Sequence, residues 1–233
     1  MIESHNYARP GATNEETQKT TFEMVKYDNL TSMLLDLRAG NINSFYVNSE
    51  TAAYIVAQNE DLETSSIPLQ RVDYSMATLK SNTEVYDILN KAIVDIKADG
   101  TMDQIINNYL KAYETKDPEP IEMPIIEGAP TYKVAVTGDM PTLDYVSSDG
   151  KPAGFNVALL SEISKRANVN IEPVVVESGA KSSALSSSRV DAFFWISSTY
   201  CSEHPEFKHT ENLEQIMSTE PYIALDIVLI RKK

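Results

Sequence analysis

The sequence predicts an α/β protein in which strands alternate with amphipathic helices joined by crossover connections. Three features lead there. Downstream of residue 130 the order strand, helix, strand, helix, strand can be followed in the letters. The first 60 residues hold another strand–helix–strand unit. Between the halves lies TKDPEPIEMPIIEGAP (115–130), with four prolines, several acids and no period, which reads as an extended linker.

In the upstream half TFEMVKYD (21–28) is a strand, and NLTSMLLDLRAG (29–40) is a helix that turns Met33, Leu34 and Leu37 inward. Gly40 ends it, because glycine accepts the left-handed conformation that follows many helices. NSFYV (43–47) is the next strand, and residues 49–59 are helical. Val85, Ile88, Leu89, Ala92, Ile93 and Ile96 then fall at spacings of three and four, an amphipathic helix ended by Asp99-Gly100. A second helix begins at Thr101, whose hydroxyl suits capping of the first turn, with Ile105, Ile106 and Tyr109 as its apolar face.

After the linker, YKVAVTG (132–138) alternates as a strand ended by Gly138, SSDG (147–150) supplies hairpin-turn chemistry, and a helix follows over 156–167. IEPVVVE (171–177) is a strand, KSSALSSS (181–188) a short helix and VDAFFWI (190–196) a buried strand. The halves share an architecture without a repeat at the level of letters.

The 233 residues are 42% hydrophobic, enough for a substantial core. The 34 acidic against 20 basic residues give a net charge of −14 with no basic cluster, so no nucleic-acid partner is expected. Cys201 is the lone cysteine, which rules out an intramolecular disulfide. The chain has no apolar run of membrane-spanning length and does not open with a signal-peptide pattern. Cys201, Glu203, His204 and His209 lie close together, but C-x2-H-x4-H lacks a fourth ligand nearby. With Glu206, Glu211 and Glu214 around it, the segment reads as a solvated loop, and no metal is expected. There is no nucleophile elbow, phosphate loop or dinucleotide fingerprint, and no cofactor is expected.

The segments KVAVTGDMPTLDYVSSDGKPAGFNVALLSEISKR, ALSSSRVDAFFW and STEPYIALDIVLIRKK resemble the first lobe of a family 3 extracellular solute-binding protein. That resemblance implies the type II periplasmic binding protein fold, two α/β lobes joined by a hinge. The upstream GATNEE, VKYDNLTSMLLDLRAGNINSFYVNSETAAY and YSMATLKSNTEVYDILNKAIVDIKADGTMDQI are similar to the family's second lobe and closing helices, so the order is inverted. A circular permutant and a fragment spanning two tandem domains both fit. The permutant is favoured because the halves add up to about one complete domain. Lobe 1 is then 79–222, with the linker 115–130, and lobe 2 is 1–78 plus 223–233. Hinge crossings are expected near 76–82 and 220–226, with ALDIVLIRKK beside residues 21–28 and 43–48.

In such a fold the ligand sits between the lobes. The start of a helix after Gly11-Ala12-Thr13-Asn14 can hold an anion on backbone N–H groups and the Thr13 hydroxyl, although Thr13 or Asn14 also serves as a simple N-cap. The resemblance places the loop Asp139 to Tyr145, with Met140, and the end of VDAFFWISS at the cleft. Tyr145 and Trp195 are then ligand walls, and Ser197 and Ser198 hydroxyl donors. Strand alternation puts Phe193 and Trp195 on one side and Phe194 on the other.

Two departures bear on the ligand. STYCSEHPEFKH lacks the arginine with which amino-acid-binding relatives hold a carboxylate. Asn48 stands where they place an aspartate for the ammonium, and Asn43 replaces an earlier one. The expectation is therefore a monomeric, exported, extracellular or cell-surface protein, its signal segment removed. It binds a small polar or carboxylate-bearing solute for an ABC permease or a sensor and is not an enzyme. The alternatives are an enzyme on the same fold, like a dehydratase or lytic transglycosylase with Asp139 or Asp144 as acid or base, and a degenerate interaction module.

Overall fold

A computed structural model describes residues 7–10, 22–25, 27, 29–65, 68–111, 121–197 and 213–233. Along the chain they form β1 (Tyr7–Pro10), β2 (Phe22–Val25), α1 (Leu30–Ala39), β3 (Ser44–Asn48), α2 (Ser49–Gln58), β4 (Leu62–Thr64) and β5 (Gln70–Leu79). There follow α3 (Thr83–Ala98), α4 (Thr101–Ile106), β6 (Thr131–Val136), β7 (Asp139–Met140), β8 (Asp144–Val146), β9 (Pro152–Ala153) and α5 (Phe155–Ala167). The chain closes with β10 (Asn170–Val175), α6 (Lys181–Ser186), β11 (Ala192–Ser197), β12 (Ile216–Ser218) and β13 (Ile223–Lys232).

One mixed sheet runs β10-β6-β11-β5-β13-β3-β1-β2, with β12 beside β5 and β4 beside β13. β6 pairs in parallel with both β10 and β11, as strands linked through α5 and α6 must when the helices cross over. The ten-residue strands β5 and β13 connect the two ends of the sheet. They pair antiparallel from Gln70–Tyr74 to Ile223–Ile227. β5 then continues along β11 and β12, and β13 along β3 and β4. The shared stretch on β5 comes a few residues before the expected crossing at 76–82. The final strand lies beside β3, with Val228 opposite Val47 and Ile230 opposite Phe45. Residues 22–25 do not reach it, because β1 pairs with both β2 and β3 and stands between.

Among the described residues the buried apolar side chains form three clusters. Two lie on opposite faces of the β6–β11–β5 end of the sheet, here called the large lobe, and one at the β3–β13 end, here called the small lobe. In the large lobe one sheet face is covered by α3, α4 and α5, with Leu89, Ile93, Phe155, Leu159, Ile163, Phe194 and Trp195 in the core. The opposite face packs Ala77, Ala135, Leu185, Phe193 and Ile196. The small lobe closes over Met33, Leu37, Phe45, Ile55, Leu62 and Ile230. The period read in α3 is the buried stripe observed, Val85, Leu89, Ala92, Ile93 and Ile96.

Two local expectations are corrected. Thr101 does not cap α4. Gly100, at φ 81°, precedes the helix, and the Thr101 hydroxyl instead accepts from Arg166 Nη2 at 2.8 Å. The second half of the proline-rich segment is docked on the large lobe. Asn170 Oδ1 accepts from Ile126 N at 2.8 Å, Asn170 Nδ2 donates to Ile126 O at 2.9 Å, and Ile121 and Met123 pack on the core.

Candidate functional site

The loop after β6 is built around one carboxylate. Asp144 is fully buried, and five donors converge on it. Oδ1 accepts from Thr137 N and Gly138 N, both at 3.1 Å, and from the Thr137 hydroxyl. Oδ2 accepts from Asn156 Nδ2 at 2.8 Å and Trp195 Nε1 at 2.9 Å. Such a set replaces the hydration that a buried charge loses. It ties the end of β6, the start of α5 and β11 into one unit. Asp144 reads as a turn residue in the sequence, because its partners lie as far away as residue 195.

The start of α5 closes over the same loop. Phe155 N donates to Thr142 O at 3.0 Å and Asn156 N to Leu143 O at 2.8 Å, so two donors at the helix start meet loop carbonyls. The approach requires glycine at 154. Its φ is 100°, and a Cβ there would stand 2.7 Å from Leu143 O. Thr142 adopts φ 72°, a costly conformation for a β-branched residue.

Held in this way, the loop faces the starts of both small-lobe helices. Asp139 Oδ2 accepts from Leu30 N, the first residue of α1, at 3.2 Å. Thr51 Oγ1, in the first turn of α2, donates to Pro141 O at 3.2 Å. Asn29 Oδ1 caps α1 through Ser32 N at 2.9 Å, and Asn48 Oδ1 caps α2 through Thr51 N at 2.9 Å. Burial pushes the Asp139 carboxyl above the usual carboxylate range; the Leu30 N–H opposes this, neighbouring Asp144 adds to it, and Lys181 draws it back down. Lys181, at the start of α6, is itself fully buried. Glu50, beside the Asn48 cap, is also raised, chiefly by burial.

Among the sequence-predicted site residues, Asn48 and Asp139 come to this interlobe face. Tyr145 is half-buried and pairs with Asp139 across the β7–β8 ladder. Ser197 is buried opposite Tyr74 on β5. Thr13, Asn14, Ser198, Cys201, Glu203, His204, Glu206, His209 and Glu211 lie outside the described residues. Met140 and Trp195 are corrected. Met140 is 1% exposed and Trp195 0%, both within the large-lobe core. Trp195 meets Tyr74 edge-on, with centroids 5.1 Å apart and an interplanar angle of 81°. The alternation rule fails because the β11–β5 register shifts between Phe193 and Ile196, and Trp195 takes φ 78°. The bulge carries Phe194 and Trp195 to the helical face and leaves Phe193 and Ile196 on the other. Leu30, Thr51 and Lys181 escaped the sequence reading. Only Thr51 had a local sign, a hydroxyl three residues after an N-cap asparagine.

Residues 132–233 match the family described as bacterial extracellular solute-binding proteins, family 3, so the resemblance read from the sequence is borne out over that segment. No curated protein matches the chain. Among solved structures it is similar to the ligand-binding component of an ABC-type import system from Staphylococcus aureus, at 12% identity and a TM-score of 0.49, covering 92% of this chain and 56% of that one. A putative L-cystine ABC transporter from Listeria monocytogenes gives 9% identity, coverage of 91% and 75%, and a TM-score of 0.40. A probable amino-acid ABC transporter extracellular-binding protein from Bacillus subtilis gives 9%, 92% and 66%, and 0.39. The chain thus spans little more than half of the Staphylococcus aureus protein.

Proposed function

We propose that this chain is an exported solute-binding module that holds a small polar or carboxylate-bearing solute between its lobes, for an ABC permease or a sensor. The observation that carries this reading is the family match over 132–233, which contains the loop facing the small-lobe helices. Asn48, Asp139, Tyr145 and Ser197 are the proposed contacts, with Thr13 and Asn14 added from the small lobe. The extracellular location and the monomeric state belong to the proposal; among the described residues no helix is long and apolar enough to cross a membrane. The permuted order, with lobe 1 as 79–222 and lobe 2 as 1–78 plus 223–233, is likewise proposed, and the pairing of β13 with β3 supports it. A role without catalysis is supported by Asp144, whose lone pairs are taken by five donors.

A thermal-shift screen against amino acids, hydroxy acids and small peptides, followed by calorimetry, tests the reading. Anions or neutral polar solutes are expected to stabilise the chain more than zwitterionic amino acids. Asn48→Asp keeps a good N-cap, so the fold persists while a charge enters the cleft. Amino-acid binding should improve by about 1–3 kcal/mol and native-solute binding weaken. Tight binding of a zwitterion, undiminished in Asn48→Ala, would refute the assignment. One observation favours a non-binding module instead: Asn48 already uses its carbonyl on Thr51 N. A screen in which no solute stabilises the chain decides for that reading.

A further inference from the structure

We propose that Lys181 is the charge anchor of the interlobe cleft: its ammonium takes the anionic group of the bound solute, and the solutes held are small anions with no cationic group of their own. This rests on the interlobe site proposed above and names the side chain that decides its specificity. The topology brings Lys181 there. β6, β10 and β11 run parallel, so their carboxyl ends share one edge of the sheet. Strand order reverses at β6, from which the chain passes to β10 on one flank and then to β11 on the other. The carboxyl ends at such a reversal are where α/β sheets bind ligands. The loop after β6 leads to α5 on one face, and a turn over Ser178–Ala180 after β10 delivers Lys181 and α6 to the opposite face.

Lys181, Ala184 and Leu185 are the buried residues of α6, and their spacing of three and four puts them on one face. Ala184 and Leu185 join the apolar cluster of Ala135 and Phe193, so Lys181 holds a position where an apolar side chain would pack. An ammonium taken out of water there needs an anion beside it. Its charge reaches the loop after β6, where it draws the Asp139 carboxyl down against the effect of burial. The other acceptors are committed: Asp144 to five donors and Asn48 Oδ1 to Thr51 N. Asp139 serves Leu30 N and sits in the field of Lys181, so a zwitterion finds no uncommitted acid for its ammonium. An anion finds Lys181 and competes for it with Asp139.

Calorimetry of the full chain with lactate, lactamide and alanine tests this, because the three share one carbon skeleton and differ in charge. Lactate is expected to bind about tenfold or more tighter than either of the others. Lys181→Met should weaken lactate about ten- to a hundredfold, the loss of one charge-assisted bond, and leave lactamide unchanged. The same variant should melt no lower than the parent, since methionine suits the apolar surroundings of Ala184 and Leu185. Asp139→Asn, which removes the competing charge, should tighten lactate. Should Lys181→Met fail to fold, Asp139→Asn carries the test, and lactate binding that it weakens or leaves unchanged overturns the anchor. Lactate binding that survives Lys181→Met, or falls in parallel with lactamide, overturns the anchor and leaves the interlobe site standing. Alanine bound more tightly than lactate does the same. Binding of none of the three overturns both the anchor and the interlobe reading.

Discussion

Replacing Asp144 with asparagine keeps the side chain's size but removes one of the two oxygens on which five donors converge. The remaining amide oxygen can satisfy the three donors from Thr137 and Gly138, or the two from Asn156 and Trp195. In either orientation the new NH2 group faces at least two donors. The Thr137 hydroxyl can rotate away, but backbone and indole N–H groups cannot. Each buried donor left without an acceptor costs about 1–3 kcal/mol, and the remaining bonds lose charge assistance. The expected loss is roughly 3–5 kcal/mol, a large part of the ~5–15 kcal/mol that holds a domain folded. Urea unfolding followed by far-UV dichroism and by Trp195, the only tryptophan, measures it. Trp195 emission should also change in the folded variant, since its indole N–H loses either its acceptor or that acceptor's charge. A loss below ~1 kcal/mol with unchanged emission would show that the donors find other partners and that Asp144 does not organise the loop.

Gly154→Ala should destabilise by roughly 1–3 kcal/mol through backbone strain alone, and by more because its Cβ meets the Leu143 carbonyl; an unchanged melting curve refutes that reading. Trp195 should resist acrylamide quenching, and Trp195→Ala should cost about 3–5 kcal/mol as for any large core aromatic; easy quenching would return it to the cleft. Asp139 has its proton affinity raised by burial, so the folded chain binds that proton more tightly than the unfolded chain and the ionised form is a penalty at neutral pH. Asp139→Asn should therefore stabilise the fold at neutral pH, and the gain should fade as the pH falls through the raised value, with Asp144 and Lys181 setting its position. Denaturation series at several pH values check this, and a gain that grows toward acid contradicts it.

Periodicity is a property of near neighbours, which is why the α3 stripe, the α1 end at Gly40 and the strand–helix–strand order could be read from letters alone. The segment KVAVTGDMPTLDYVSSDGKPAGF shows its loop and its glycines, and with them the resemblance that the match over residues 132–233 bears out, for the same reason: turn chemistry is local. Partners distant in sequence were not readable. Asp144 became the centre of the loop because residues 137, 138, 156 and 195 fold around it. Trp195 left its expected face because the register of β11 is set by β5, more than a hundred residues upstream, and one bulge turns a side chain from one face to the other. Residues 121–130 read as a free linker because the hold of Asn170 on residue 126 comes from 44 residues away. Above all, the contacts of Leu30 with Asp139 and of Thr51 with Pro141 span 109 and 90 residues. No local pattern encodes such a pair; it arises only when two separately packed lobes, joined by β5 and β13, are brought face to face.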